Sequence, residues 1–401
     1  MNAPENTQHL TNNPGGGYLP IHEFYTPEYY ELEKERIFKK SWLRIGTEKQ
    51  VINVGDYFVR ELPSCDTSLV VVRGRDQRIR AFHNMCSHRS NRIAYEPAGN
   101  TTVFKCKFHA WAYGIDGSLR AIPEENLFPG LIKDEHGLTE VACDTWGGFI
   151  WINVDPNPAQ SLREYLGEDI YNGFGDFFER HEQVACFSAV LPVNWKICLD
   201  AFVETYHFSV VHAATAANIV TSREFPNGKI DALRLYEKHR IVSTTANLNH
   251  VPSPAEALAR KFNGNSTFAP DESVKAKQSA PQMNPLKLDD WMSELMVIFP
   301  MFDLHPLNGF YTTHNYWPIA HDKMLWEYYL HMTPPKDAAG AVAIEYNVAL
   351  LRDVVREDVK NLEMIQSNLK SGAKRFQILG EMEALIRHSY KVIAEQVGRG
   401  W

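Results

Sequence analysis

Two short pairs of side chains able to bind a soft metal stand in the first third of the chain. They are Cys86-Ser87-His88 and Cys106-Lys107-Phe108-His109, together C-x-H-x17-C-x2-H. Two thiolates and two imidazoles are what a [2Fe–2S] cluster needs when one iron takes both cysteines and the other both histidines. Replacing two anionic sulfurs by neutral imidazoles raises the reduction potential, so such a cluster could accept electrons from an ordinary ferredoxin. A structural zinc site also uses two cysteines and two histidines. Its usual order is Cys, Cys, His, His with the histidines on a helix, whereas here each pair holds one of each in β-type sequence.

A second group lies between Asn194 and His212. Asp200, Glu204 and His207 fall at i, i+4 and i+7 and share one face if the segment is helical. The residues between them (Ile197, Leu199, Phe202, Val203, Phe208, Val210, Val211) are apolar, and charge among such residues is costly unless paired or metal-bound. Two imidazoles and one carboxylate, with positions left for O2 and substrate, suit a mononuclear non-haem Fe(II) oxygenase. On spacing alone, Glu204 or Asp200 supplies the carboxylate. His207 and His212 are five residues apart, about 140° at roughly 100° per residue on a regular helix. Both reach one metal only if the helix distorts, so the spacing predicts a π-bulge or break near Phe208 to Val211.

The elements that must hold these groups change along the chain. Residues 1–17 are polar and end in Pro14 and three glycines, which predicts a flexible tail. Residues 18–45 have a roughly helical pattern and form an N-terminal part expected to pack on the catalytic domain. Residues 46–156 hold short runs rich in Val, Ile, Phe and Tyr (GDYFVREL, SLVVVRG, RIRAFHN, TVFKCKF, FIWINVD), separated by turn residues such as Asp116-Gly117. They read as a small antiparallel β domain. Residues 157–401 then mix helix-compatible stretches (162–180, 193–212, 344–370, 377–396) with strand-like runs such as IVSTTANL, GFYTTHNYW and MLWEYYLHM, an α+β domain with an antiparallel sheet. Residues 251–290 carry five prolines with scattered Gly, Ser, Asn and Lys, which predicts a long loop and a candidate lid.

Cys86-Ser87-His88-Arg89 and Cys106-Lys107-Phe108-His109-Ala110-Trp111, followed by Tyr113 and Gly117, resemble the cluster domain of Rieske-type non-haem iron oxygenases. The stretch Asn194 to His212 is similar to the catalytic-domain helix of the same family. The resemblance runs from about Tyr18 to the C-terminus. It implies a small antiparallel β Rieske [2Fe–2S] domain held through Cys86, His88, Cys106 and His109, and a larger helix-grip, START-like catalytic domain. It also makes Glu204, three residues before His207, the acid that bridges the two metal centres, with His207 and His212 on the mononuclear Fe(II). Arg356-Glu357-Asp358-Val359, with Gln366 eight residues on, resembles the segment carrying the distant third ligand. Asp358 is then that ligand, with Asp353 and Glu357 its nearest rivals; read without the family, it is an exposed acid on a charged helix. Where the family commonly has glycine, this chain has Ser90 and Ala110, which bears on the backbone conformation there.

The resemblance further implies a terminal oxygenase that spends O2 on an organic substrate. NAD(P)H would act only through a separate reductase, with a ferredoxin or flavin reductase as donor. The electron would pass from His109 or His88 to Glu204 and His207 across neighbouring subunits of a homotrimer, and a small β subunit is compatible with this. The reading preferred from the sequence is hydroxylation of an aromatic or other hydrophobic compound, as in aromatic hydrocarbon catabolism. Phe202, Phe208, Phe302, Phe310, Tyr311, Tyr316 and Trp317 are offered as pocket walls. Glutamate at 204 resembles branches that oxidise quaternary ammonium compounds, so demethylation of such a substrate or a methoxy compound stays open. From another class, an iron–sulfur electron-transfer protein stays open too. His239, His250, His305, His314, His321, His331 and His388 occur singly and read as core or surface, with His314 and His331 as pocket lining if their strands face one.

Composition narrows the remainder. With 401 residues, 44% hydrophobic and 22% charged, the chain can bury a sizeable core, and a net charge of −8 offers no overall basic surface to nucleic acid or anionic lipid. No apolar run is long enough to span a membrane and the first residues lack a signal-peptide pattern, so a cytoplasmic location is expected. Six scattered cysteines do not make a disulfide framework.

Overall fold

The computed structural model describes residues 17–263 and 280–399. The expected flexible tail, Gly17 apart, and the middle of the expected lid lie outside the described residues. The chain divides into two compact units, Lys34–Tyr165 and a larger one made of residues up to Glu33 together with Leu166–Trp401. Residues 34–45, read from the sequence with the N-terminal helical part, fall in the first unit, and residues 17–33 in the second.

In the first unit, β1 (Leu43–Thr47), β2 (Asp56–Leu62), β3 (Thr67–Arg73), β4 (Ile79–His83), β5 (Ala98–Asn100), β9 (Glu140–Trp146) and β10 (Phe149–Asn153) form one sheet. Its order is β1-β10-β9-β4-β3-β2-β5, with every pair antiparallel. A second, three-stranded sheet joins β6 (Val103–Lys105), β7 (Ala112–Gly114) and β8 (Leu119–Ala121). Cys86 and His88 follow β4, and Cys106 and His109 sit in the connection from β6 to β7, so both ligand pairs stand on loops closed by strands. The β7–β8 turn needs Gly117: its φ is +83°, and a Cβ there would come within 2.5 Å of the Phe82 ring. Beneath the loops, Val70, Phe82, Phe104, Tyr113 and Leu119 form a core that also takes in Cys86 and Cys106.

The second unit carries a seven-stranded antiparallel sheet. Its strands are β11 (Glu182–Leu191), β12 (Ile230–Leu235), β13 (Arg240–Thr245), β14 (Trp291–Ile298), β15 (Phe302–Leu307), β16 (Phe310–Ala320) and β17 (Lys323–Met332), in the order β11-β17-β16-β15-β14-β13-β12. The helices that matter for the site are α1 (Trp195–Ala201), α2 (Phe208–Val211), α3 (Pro254–Asn263), α4 (Ala338–Leu369) and α5 (Ala384–Val397). α1 packs on both α4 and β16, and α3 lies along α4. The long loop expected over 251–290 is therefore interrupted by a helix, because PAEALARKFN has proline where a helix start tolerates it and no internal breaker.

Helix α4 shows how one stripe is chosen. Asp337 caps its start by accepting from Gly340 N at 2.8 Å. Its buried residues Ala343, Asn347, Leu351, Val355, Asp358, Leu362 and Gln366 recur every three or four positions, the spacing of one helical face. Asp358 thus occupies a core position among apolar neighbours. Gln366, on the same stripe, accepts from Asn194 N at 2.7 Å, and Asn194 in turn caps α1 through Lys196 N at 3.0 Å. α1 is further tied to the N-terminal helix Pro27–Glu33, where fully buried Glu33 takes Lys196 Nζ at 2.6 Å and Trp195 Nε1 at 3.0 Å. A buried charge pair with these added hydrogen bonds fixes one docking geometry, since either partner alone would be costly to bury.

Candidate metal centres

The segment from Asn194 to His212 is not one helix. α1 ends at Ala201, well short of the expected end at His212, and the chain turns through Phe202 to His207, ahead of the Phe208–Val211 position expected for the break; Phe208–Val211 is itself the single turn α2. Glu204 drives the turn, its Oε2 accepting from the backbone of Tyr206 and, at 3.3 Å, of His207. His207 and His212 become the N-cap and C-cap of α2. The 140° misfit of a regular helix disappears, and their Nε2 atoms converge to 3.1 Å.

Asp358 Oδ1 closes the triangle, 3.5 Å from His207 Nε2 and 3.4 Å from His212 Nε2. Three donors bound at about 2.1 Å and mutually cis on one ion would lie about 3 Å apart, so this set is close to a facial 2-His-1-carboxylate triad. The outer nitrogens decide the tautomers. His207 Nδ1 meets Glu204 Oε1, and His212 Nδ1 meets Glu357 Oε2 at 2.9 Å, with Thr215 Oγ1 donating to the same oxygen at 2.7 Å. Each carboxylate holds a proton on Nδ1 and leaves a lone pair on Nε2. Two lone pairs facing each other beside a carboxylate repel, and a divalent metal is the group that satisfies all three.

Titration behaviour reflects the same crowding. Burial pushes Asp358 up to about 7, against the opposing charge of His207. Burial also lowers His212, while at His207 burial is outweighed by the hydrogen bond and charge of Glu204 and the value rises.

Of the remaining candidates, Asp353 pairs with Arg352 at 2.9 Å on the outside of α4, away from the triad. Asp200, read as sharing a face with Glu204 and His207, is not brought to them. The helix ends one residue later, and Asp200 Oδ2 instead accepts from Tyr390 at 2.8 Å, whose hydroxyl lies 2.7 Å from that of Tyr25. Glu357, considered as a rival ligand, acts on the far nitrogen of His212.

The residues of the first motif meet in two pairs. The Cys86 and Cys106 thiols are in contact and buried, and the His88 and His109 rings meet edge to face with centroids 4.5 Å apart. Nδ1 of His88 is buried without a hydrogen-bond partner, an orphan atom that a metal would satisfy. The sulfurs receive hydrogen bonds suited to thiolates. Tyr113 Oη lies 3.1 Å from Cys86 Sγ, and Asn91 Nδ2 donates to Cys106 Sγ at 3.7 Å. Burial raises both thiols, but at Cys106 the backbone N–H groups of Phe108 and His109 outweigh it and the value falls. Trp111 stacks flat on His88, 4.9 Å between centroids, and shields it. Ser90 and Ala110 both adopt left-handed φ of 59°, each closing a turn by donating to the carbonyl of Cys86 and Cys106 respectively at 3.0 Å.

Comparison with known proteins agrees with both halves of this geometry. The model of the Rieske [2Fe-2S] domain matches residues 41–131, and that of the ring hydroxylating alpha subunit catalytic domain matches residues 178–399. The chain belongs to the ring-hydroxylating alpha-subunit family. It is 31% identical over 224 residues to the carnitine monooxygenase oxygenase subunit of Escherichia coli (strain K12), a match spanning 55% of this chain and 58% of that one. It is 35% identical over 202 residues to the biphenyl 2,3-dioxygenase subunit alpha of Rhodococcus jostii (strain RHA1), spanning 49% of this chain and 42% of that one. Among solved structures, naphthalene 1,2-dioxygenase from Rhodococcus sp. bound to indole superposes with a TM-score of 0.76 at 21% identity, covering 99% of both chains. A quaternary ammonium Rieske monooxygenase gives 0.75 at 20%, covering 96% of this chain and 97% of that one. These likenesses establish the fold: a Rieske domain and an α+β catalytic domain.

In this chain the triad opens into a cavity under the seven-stranded sheet. Phe202 and Phe208 line it as expected, while Phe302, Phe310, Tyr311, Tyr316 and Trp317 do not. His314 lines it, as does His305, which the sequence had placed with the core or surface histidines; His331 instead stacks on Tyr311, 4.3 Å between centroids. Tyr328 was missed among the aromatics. The signal was available: on adjoining strands, Thr312-x-His314 and Trp326-x-Tyr328 alternate with period two. Among the described residues, no helix is long and apolar enough to cross a membrane.

Proposed function

We propose that this chain is a terminal oxygenase component that hydroxylates an aromatic or similarly hydrophobic compound with O2. In this reading Cys86, His88, Cys106 and His109 hold the [2Fe–2S] cluster, and His207, His212 and Asp358 hold the mononuclear iron. When bound, the two centres supply stored electrons and O2 activation. The chain's own residues supply the positioning. Glu204 and Glu357 orient the two imidazoles, and Phe202, Leu295, Leu307, Leu351 and Val355 keep the cavity apolar around the reacting end of the substrate. The observation that carries the reading is the triangle of Nε2, Nε2 and Oδ1 atoms opening into that cavity.

An aromatic substrate is favoured by the similarity to alpha subunits of biphenyl 2,3-dioxygenase and of the benzene 1,2-dioxygenase of Pseudomonas putida, the latter 36% identical over 201 residues. A quaternary ammonium compound is the second reading, favoured by the similarity to the carnitine monooxygenase subunit. Electrons would come from NAD(P)H through a flavin reductase or ferredoxin, in the cytoplasm, with a homotrimer as the working assembly.

The test is iron and acid-labile sulfide content together with O2 uptake driven by a surrogate reductase. About three irons and two sulfides per chain, with uptake stimulated by an aromatic compound, are expected. Two irons and no substrate-dependent uptake would make the chain an electron-transfer protein instead.

A further inference from the structure

The polar groups that line the cavity differ in what they still have to offer. Glu204 and Asp358 face the imidazoles of the triad. On the sheet wall Thr244 and Ser293 hold each other at 2.6 Å, and Thr312 bonds to Tyr328. Thr205 Oγ1 is unpartnered but sealed off from the open space. His314, on β16, is different. Trp326 Nε1, on β17, donates to its Nδ1 at 3.2 Å. A tryptophan can only donate, so Nδ1 presents a lone pair and the ring proton sits on Nε2. That N–H has no hydrogen-bond partner among the described residues, although the residue is only 2% exposed. Unlike Thr205 Oγ1, it borders the open cavity.

Asp303 and His305, both on β15, stand within reach of His314, and the three resemble a second metal site. The tautomer opposes it. At His207 and His212 the outer partner is an acceptor, which bares the inner nitrogen for a metal. At His314 the outer partner is a donor, which turns the nitrogen toward the cavity into an N–H. Burial holds the ring neutral, far below the usual imidazole range, so this N–H persists across ordinary pH. A buried donor left without a partner is costly, and a ligand that supplies an acceptor removes that cost.

The surroundings select an uncharged acceptor. No lysine or arginine is among the described residues lining the cavity, Glu204 and Asp358 are acids, and Asp303 is fully buried on the strand paired with His314. An anionic group would join three carboxylates with no side-chain cation to offset it, and a quaternary ammonium head has nothing for an N–H to bond. A carbonyl or ether oxygen accepts without desolvating a charge. Phe202 and Tyr328 flank the His314 ring, 4.4 and 4.5 Å between centroids, and give an aromatic ring bearing that oxygen apolar neighbours. We propose that His314, its tautomer set by Trp326, is a specificity-determining donor to a neutral oxygen, a carbonyl or ether, carried on the aromatic ring of the substrate. The proposal rests on the oxygenase reading above and narrows it to uncharged aryl ketones and ethers. The hydrogen bond holds one edge of the ring at the sheet and so sets which edge faces the triad.

Calorimetric titration of the full chain, with iron loaded, tests this with two isosteric pairs. Acetophenone and α-methylstyrene differ in C=O against C=CH2, and anisole and ethylbenzene in O against CH2. His314→Phe should weaken each oxygen compound relative to its hydrocarbon about three- to tenfold, the net worth of a neutral hydrogen bond, and leave the hydrocarbon within about twofold. His314→Gln, which keeps an N–H donor, should recover part of the loss. Trp326→Phe, which leaves the imidazole in place but removes the group that sets its tautomer, should erode the same preference. An unchanged ratio within the pairs in His314→Phe or in Trp326→Phe would overturn the proposal, as would loss of one bound metal ion per chain in His314→Phe. Should neither variant fold, the unaltered protein decides: tighter binding of benzoate or of phenyltrimethylammonium than of acetophenone would overturn the neutral subsite. Separate O2-uptake measurements distinguish the subsite from the oxygenase reading. The expected shift in ratio without any substrate-stimulated uptake would sink the oxygenase reading and leave the subsite standing, and stimulated uptake with an unshifted ratio would do the reverse.

Discussion

Glu357 and Asp358 are consecutive on one helix and serve the same histidine from opposite sides. Glu357 Oε2 lies 2.9 Å from Nδ1 of His212, and Asp358 Oδ1 lies 3.4 Å from its Nε2. Adjacent helical residues point about 100° apart, so His212, at the C-cap of α2, sits in the angle between them. One acid sets the tautomer and the other completes the donor triangle.

Three substitutions on α4 should therefore behave differently. Asp358→Ala should lose the mononuclear iron and keep the cluster, giving about two irons per chain. Glu357→Ala should keep the donor set but weaken iron about ten- to a hundredfold in chelator competition, the usual effect of removing a partner that orients a ligand. Asp353→Ala, at a surface pair with Arg352, should change neither. Iron loss in Asp353→Ala with retention in Asp358→Ala would show that the third donor has been misassigned.

Tyr113→Phe should lower the reduction potential of the cluster. The hydroxyl lies 3.1 Å from Cys86 Sγ, and a hydrogen bond to sulfur stabilises the reduced, more negative cluster. A bond worth about 1 kcal/mol corresponds to about 40 mV for one electron. An unchanged midpoint in protein-film voltammetry would mean that the hydroxyl does not act on the sulfur.

Asp200 predicts a pH dependence of stability. Burial raises its folded value from 3.8 to about 7, with the Tyr390 hydrogen bond opposing, and its Oδ1 is buried without a partner. A group raised in the folded state gives stability that is fully present below its unfolded value and lost as pH climbs through the folded one. Between about pH 4 and 7 this group alone should remove a few kcal/mol. Asp200→Asn keeps an acceptor for Tyr390 and should flatten the decline in denaturant titrations at several pH values; an unaltered slope would reject the assignment.

Ser90→Gly and Ala110→Gly should each stabilise the cluster domain by about 0.5–1 kcal/mol. Both residues hold φ at 59°, where a Cβ is strained and glycine is not. Thermal denaturation of the double variant should rise; a fall would mean that the side chains contribute more than the strain costs.

Much of the site could be read from the chain because its donors are local. Cys86 with His88, and Cys106 with His109, lie within three residues of each other on loops whose strands alternate visibly, and His207 with His212 flank one turn. Their types and spacing marked them as candidate metal ligands before any fold was known. Asp358 was legible only through the family resemblance. Read alone it was an exposed acid on a charged helix, and it is the fold that sets it on the buried stripe of α4 with Leu351, Val355, Leu362 and Gln366.

What the sequence could not decide were contacts between elements far apart in the chain. The helical period put Asp200 on the face of Glu204 and His207. Only the fold stops α1 at Ala201, because the side chain of Glu204 captures the following backbone N–H groups and Tyr390 from α5 draws Asp200 away. Likewise His305 and His314 are two isolated histidines in sequence. Antiparallel pairing of β15 and β16 places them beside Asp303, and a hydrogen bond from Trp326 on β17 sets which nitrogen carries the proton. Local spacing fixes which atoms can act as donors. Register between strands, and the direction in which a helix leaves its last turn, decide which of those donors meet, because both depend on burying side chains from distant parts of the chain together.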